Sequence, residues 1–192
     1  MGGEGMCKLF TGLNFGAWSL AVVALAYVTL RSIAADIDPK VLVVEGRTAD
    51  VAEHYPIERL RREFLNDEVE TKTPWMERGE AIRYRGPRVA DILERHGLMD
   101  GVSVQFVAYN NFVSEVSLKE IVAYDPILAI ERGCDEQDRI VGRCAAGEEY
   151  TLLTTDEQGP IFLVWPYDRL PSSYIPARNS IWVWFVVTIR PT

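Results

Sequence analysis

The stretch GPIFLVWPYDRLPSSYIPARNSIWVWFVVTIRPT, residues 159–192, carries two apolar runs separated by a polar loop. GPIFLVWP (159–166) and SIWVWFVVTI (180–189) have the length and the β-branched and aromatic content of strands buried on both faces. The loop between them, 166–180, is rich in Pro, Ser and Arg and begins Pro166-Tyr167-Asp168-Arg169. Loops at strand ends carry function more often than cores do, so this one either rims a site or simply joins two core strands.

Working outward from it, VSVQFVAYN (102–110) alternates Val102, Val104, Phe106 and Ala108 against Ser103, Gln105, Val107 and Tyr109, the period of a strand with one buried face. FVSEVSL (112–118) is placed to pair with it across an Asn110-Asn111 turn, and a short helix over 118–124 and a strand PILAIERG (126–133) follow. Further upstream, VLVVEG (41–46) reads as a buried strand. PIERLRREF (56–64) opens on a proline suited to a first helical turn and sets Ile57, Leu60 and Phe64 on one face. PRVADILERHGL (87–98) predicts a helix with Pro87 in its first turn, Val89, Ile92, Leu93 and His96 on one face, and Gly97 as its C-terminal cap. EVETKT (68–73) alternates like an exposed strand, whereas PWMERGEAIRYRG (74–86) is dominated by turn signals, with Trp75, Met76 and Tyr84 its large apolar anchors. EYTLLTT (149–155) completes the set. Strands outnumber helices and come in hairpin-like neighbours, so the expected class is α+β with a mixed or largely antiparallel sheet.

The chain has 192 residues, 48% of them hydrophobic and 25% charged, which suits one globular core. Residues 9–30, LFTGLNFGAWSLAVVALAYVTL, contain no charge and at about 1.5 Å per residue are long enough to cross the roughly 30 Å hydrocarbon layer. The run exceeds an ordinary signal-peptide core, although Ser32-Ile33-Ala34-Ala35 offers small residues for cleavage. The expected plan is a cytoplasmic tail over 1–8, a single transmembrane anchor over 9–31, a linker over 32–40 and a soluble domain over 41–192 lying in the periplasm, with the protein held in the inner membrane. In such an oxidising compartment Cys134 and Cys144, which bracket DEQDRIVGR, are expected to form a disulfide.

The net charge of −8 disfavours nucleic acid, whose binding requires clustered Lys and Arg. The two histidines, His54 and His96, are isolated, and there is no CxxC, so neither a zinc site nor a Ser-His-Asp set is indicated. No glycine-rich phosphate loop is present. His96 reads as a structural residue at a helix end and His54 as a loop residue; Trp165, Trp182 and Trp184 read as core or as an apolar contact patch.

Taken in order, the strand ending Glu45-Gly46, YRGPRVADILERHGL, the hairpin leading to DPILAIERG, GPIFLVWP and the closing SIWVWFVVTI resemble the sulfite-oxidase-like molybdopterin-binding domain over about 41–192. The corresponding family pattern is a strand ending in Gly, an aromatic followed by xGxxLxxLLxxxG, a hairpin leading to PLxxA, then GPLxLxxP and a final VKWxxxI strand. That resemblance implies a sulfite-oxidase-like α+β fold and, in the oxidases, a molybdenum ligated by a cysteine thiolate in a CxGN segment. Here residues 65–85, the matching interval, hold no Cys or His, the NRR arginines are missing, and Trp182 stands where the family has a lysine. Without the thiolate, which tunes and fixes the soft metal, and without the cationic anchors, tight binding of the group is not expected.

The resulting expectation is a membrane-anchored accessory or interaction subunit with no catalytic residues and no metal site, docked to a larger electron-transfer, photosynthetic or sensory assembly. A cofactor- or partner-binding rim is expected from Asn110, Asn111, Tyr167, Asp168, Arg169, Arg178 and Trp182. The alternatives are a molybdopterin-dependent oxidoreductase and a small-ligand sensor that uses an emptied pocket.

Overall fold

In the computed structural model of the chain, residues 37–48, 51–75, 81–174 and 176–192 are described. The expected tail, transmembrane span and most of the linker lie outside them. Among the described residues no helix is long and apolar enough to cross a membrane. Residues Ile37–Thr192 form one compact unit.

The architecture is α+β with a mixed sheet. Five strands lie in the order β2-β1-β11-β5-β6: β1 (Val41–Glu45), β2 (Ala52–Pro56), β5 (Ser103–Ala108), β6 (Val113–Ser117) and β11 (Val186–Pro191). The β1–β11 pair is parallel, and the other neighbours are antiparallel. A second, antiparallel sheet runs β3-β4-β8-β9, from Asn66–Thr71, Ile82–Pro87, Glu131–Gly133 and Tyr150–Leu152. Strands β7 (Ile127–Ala129) and β10 (Phe162–Val164) pair antiparallel with each other.

Four short helices link these strands: α1 (Ile57–Glu63), α2 (Val89–Arg95), α3 (Leu118–Tyr124) and α4 (Glu136–Ile140). Each has local support. In α1, Glu58 occupies the first turn and Arg61 and Arg62 the last, matching the helix dipole, while Ile57 and Leu60 are buried. The Ser117 hydroxyl accepts from the Glu120 N–H and the Glu120 carboxylate accepts from the Ser117 N–H, a reciprocal cap that starts α3 where the sequence predicts it. Asp135 and Asp138 do the same for α4, inside the loop closed by a Cys134–Cys144 disulfide. Gly97 follows α2 at φ +63°, the left-handed conformation that a C-terminal glycine supplies without strain.

Several local expectations are corrected. Pro87 ends β4 and Arg88 is the N-cap of α2, so the proline lies outside the helix. β2 is a strand where a loop around His54 was expected, and β4 lies within the stretch dominated by turn signals. Val102 is exposed, and only Val104, Phe106 and Ala108 of its alternating set are buried. PILAIERG is not one strand: Ile127–Ala129 pairs with β10, and Glu131–Gly133 pairs with β4 and β9, so the chain changes sheets at Ile130.

The closing run SIWVWFVVTI is not one strand. A 3-10 turn covers Asn179–Ile181 and β11 starts only at Val186. Phe185 has φ +54°, a left-handed conformation costly for a bulky side chain. Here it is pinned on both sides: the Phe185 N–H donates to Gln158 O at 3.2 Å, and its carbonyl accepts from Tyr109 N–H at 2.9 Å. The Leu163 N–H donates to Val183 O, so this irregular segment is held beside β10.

The core is built from β1, β5, β11, β7 and β10, with Leu42, Phe106, Ile189, Leu128, Phe162 and Trp165 fully buried. Trp165 also satisfies its indole N–H on Ile181 O at 2.9 Å. Burial on this scale is the main stabilising term, at roughly 25 cal/mol per Å² of apolar surface removed from water.

Candidate functional site

The irregular segment before β11 places Trp182, Trp184 and Phe185 against the β5–β6 hairpin, and Trp75 approaches from the end of the β3 segment. Together with Phe112, Ala108, Asn110, Asn179 and Ser180 they line a cleft of about 340 Å³, within the size range of small-ligand pockets. Trp75 and Trp184 meet edge to face, with ring centroids 4.8 Å apart and planes at 75°. Trp182 is buried and packs on Phe162, whereas Trp75 and Phe112 are half exposed at the mouth. The hairpin turn that carries the rim is held by its own local bonds. Asn111 takes φ +65°, the Asn110 side chain accepts from the Phe112 N–H at 3.1 Å, and the Ala108 N–H donates to Phe112 O at 2.8 Å.

Two polar atoms on residues of this cleft, Asn179 Oδ1 and the Trp184 indole nitrogen, are buried without a hydrogen-bond partner among the described residues. Burying such groups unpaired is costly, so each favours a partner that a small rearrangement would admit.

The predicted rim residues do not converge. Asn110 and Trp182 line the cleft, and Asn111 belongs to the same turn. Tyr167, Asp168 and Arg169 form a 3-10 turn elsewhere: the Tyr167 N–H donates to Thr71 Oγ1 at 2.8 Å and the Arg169 guanidinium to Ala123 O at 3.3 Å. Arg178 pairs with Glu120 at 3.0 Å, beside a Tyr174 hydroxyl that donates to the same carboxylate at 2.8 Å. Burial works against the Glu120 charge, but hydrogen bonds from Ser117 and Tyr174 and the Arg178 charge outweigh it and hold the carboxyl below its ordinary range. The bond to Glu120, with burial, pushes the Tyr174 hydroxyl up to about 12. This group fastens the loop to α3.

His96 caps α2, is largely buried, and shares a 2.9 Å hydrogen bond with the Tyr55 hydroxyl. Burial pushes its pKa below the ordinary histidine value.

Behind the Trp75–Trp184 pair lies a second cavity of about 440 Å³, lined by the same two indoles and by Arg132, Asp135, Asp156 and Glu157 among others. Its base is a buried ion network. Arg132, only 6% exposed, donates to both oxygens of fully buried Asp138 and to Glu157, while Arg143 reaches Asp138 at 2.8 Å. The hydrogen bonds from Arg132 hold the Asp138 carboxyl well below the usual carboxylate range, against the opposing effect of burial.

A molybdopterin, which the sequence resemblance implies, asks for a soft protein ligand and for cations around its anionic phosphate. Among the described residues the cleft presents neither, and Cys134 and Cys144 are bonded to each other. No cluster of His, Cys, Asp and Glu suited to a metal occurs among the described residues. The residues described do not fit the group.

Trp75, Phe112, Trp184 and Phe185 were not among the predicted site residues. The signal that could have found them is the density of tryptophan itself, with Trp75, Trp182 and Trp184 three of only five in the chain.

No family model matches the sequence. No curated protein matches it either. Among solved structures, the sulfane dehydrogenase SoxCD from Paracoccus pantotrophus is similar, at 17% identity and a TM-score of 0.49. The match covers 82% of this chain but 40% of that one, so the chain spans well under half the length of that protein.

Proposed function

We propose that the chain is a membrane-tethered accessory domain on a sulfite-oxidase-like scaffold, whose work is recognition at the aromatic cleft rather than turnover. The observation that carries this reading is the lining of the cleft: five aromatic rings and three uncharged polar side chains, with no carboxylate, His, Lys or Cys among the described residues to act as acid or base or to activate the Ser180 hydroxyl. General acid–base or nucleophilic catalysis needs such a group within hydrogen-bond reach of the reacting atom, whereas binding needs apolar area and a few oriented polar atoms.

The rim supports the same reading. Tyr109, Phe112, Val113 and Trp75 are each more than 40% exposed and sit at or beside the cleft mouth, which gives a partner an apolar contact bordered by polar surface. The scaffold assignment rests on the ordered motifs of residues 41–192, and the tether on the uncharged run at 9–30. On this reading the soluble domain lies outside the cytoplasm, beside a larger membrane assembly.

The test is to purify the full chain in mild detergent from cells that make molybdenum cofactor, and to measure molybdenum and pterin fluorescence. A well-folded sample without stoichiometric molybdenum is expected. Stoichiometric metal would establish the oxidoreductase alternative in its place.

A further inference from the structure

We infer that the aromatic cleft is a site for a quaternary ammonium group, an inference that rests on the cleft being the recognition site of the domain. Ring faces carry a negative quadrupole potential that attracts cations, tryptophan most strongly. Three tryptophans meet here, and Trp75 and Trp184 stand at 75° to one another rather than in a flat stack. A compact, roughly spherical cation therefore meets more than one ring plane, whereas a flat neutral ring would stack on only one.

The polar lining selects among cations. A primary ammonium or a guanidinium brings several N–H donors, each needing an acceptor once water is excluded. Among the described residues the side chains of the cleft that can accept are Asn110, which already accepts from the Phe112 N–H, Asn179 and Ser180, and there is no carboxylate to balance an ammonium or guanidinium charge. A quaternary ammonium has no N–H to satisfy, and its methyl groups pack directly on the rings. Asn179 and Ser180 remain for a short polar tail on the ligand.

An independent observation concerns charge. Trp75 and Trp184 also wall the neighbouring cavity, whose ionisable lining is Asp135, Asp156 and Glu157 against Arg132. That excess of acid, within a chain of net charge −8, raises the local concentration of cations without placing a hydrogen-bonding carboxylate in the cleft. An anionic ligand is disfavoured by the same field.

The trimethylammonium group is common to free solutes such as choline and glycine betaine and to the phosphatidylcholine headgroup. The experiment titrates full-length protein, held in a maltoside detergent free of choline groups, with choline and with 3,3-dimethyl-1-butanol, its uncharged isostere, following tryptophan fluorescence and calorimetry. Choline is expected to bind at least about fivefold more tightly than the isostere, the margin that a desolvated cation–π contact provides. Trp75→Leu, at a half-exposed position, and Asp156→Asn, on the acidic flank, should each reduce choline affinity by a larger factor than that of the isostere, with melting temperature unchanged. Phosphatidylcholine vesicles that displace choline where phosphatidylglycerol vesicles do not would assign the lipid source, and no displacement would assign a free solute. Equal affinity for choline and its isostere, or no binding of choline, overturns the inference. Equal affinity leaves the cleft standing as a recognition site, whereas stoichiometric molybdenum would overturn that underlying reading instead.

Discussion

Gly86 shows how closely the strands are fitted. A Cβ there would run into the Leu128 carbonyl, so β4 and β7 approach as nearly as they do only because the side chain is missing. Gly86→Ala should destabilise the domain by about 1–3 kcal/mol, read from the urea midpoint, since backbone must move to admit the methyl group. Asp138 makes a different demand. Its carboxylate is fully buried and its pKa is depressed by the hydrogen bonds from Arg132. A depressed pKa contributes stability that is complete above the unfolded value near 3.9 and is lost as pH falls from there toward the folded value. Asp138→Asn should therefore cost about 3–5 kcal/mol at pH 7, by leaving Arg132 short of its partner, and should flatten the fall in stability below about pH 4. Denaturant melts from pH 7 to pH 2 on both proteins would read the two effects together.

Elements with their own local signals were readable from sequence, and those defined by distant partners were not. The helix over Leu118–Tyr124 was legible because Ser117 and Glu120 form its cap within the segment itself. The β5–β6 hairpin was legible because β5 alternates with period 2 and the Asn110-Asn111 turn leads straight into its partner strand. By contrast, nothing in PILAIERG marks Ile130 as the point where one sheet ends and another begins, since apolar periodicity does not say which strand is the neighbour. The run after Ser180 looks like a strand by composition, yet Phe185 is held in a left-handed conformation by bonds to Gln158 and Tyr109. β4 was masked by its flanking charges, although Ile82, Tyr84 and Gly86 point to the inner face. The disulfide was read from spacing and compartment, and its Cys134–Cys144 link closes a loop with a sequence separation of 10. Reducing it, or replacing both residues with Ser, should cost about 2–3 kcal/mol, visible as a lower melting temperature with a thiol reductant present.

At the scale of the whole molecule, the site was less legible than the fold. Residues 166–180 were expected to form one rim, but the loop is divided by its partners: Tyr167 is tied to Thr71, Arg178 to Glu120 on α3, and only its end, at Asn179 and Ser180, reaches the cleft. The other wall comes from Trp75, more than a hundred residues away in sequence from Trp184, and no short-range pattern announces such a meeting. The lining of the cleft, five aromatic rings and three uncharged polar side chains among the described residues, suits binding. The most direct test is the molybdenum content per chain of full-length protein purified, folded, from cofactor-competent cells. The account predicts no stoichiometric metal; one molybdenum per chain would contradict it.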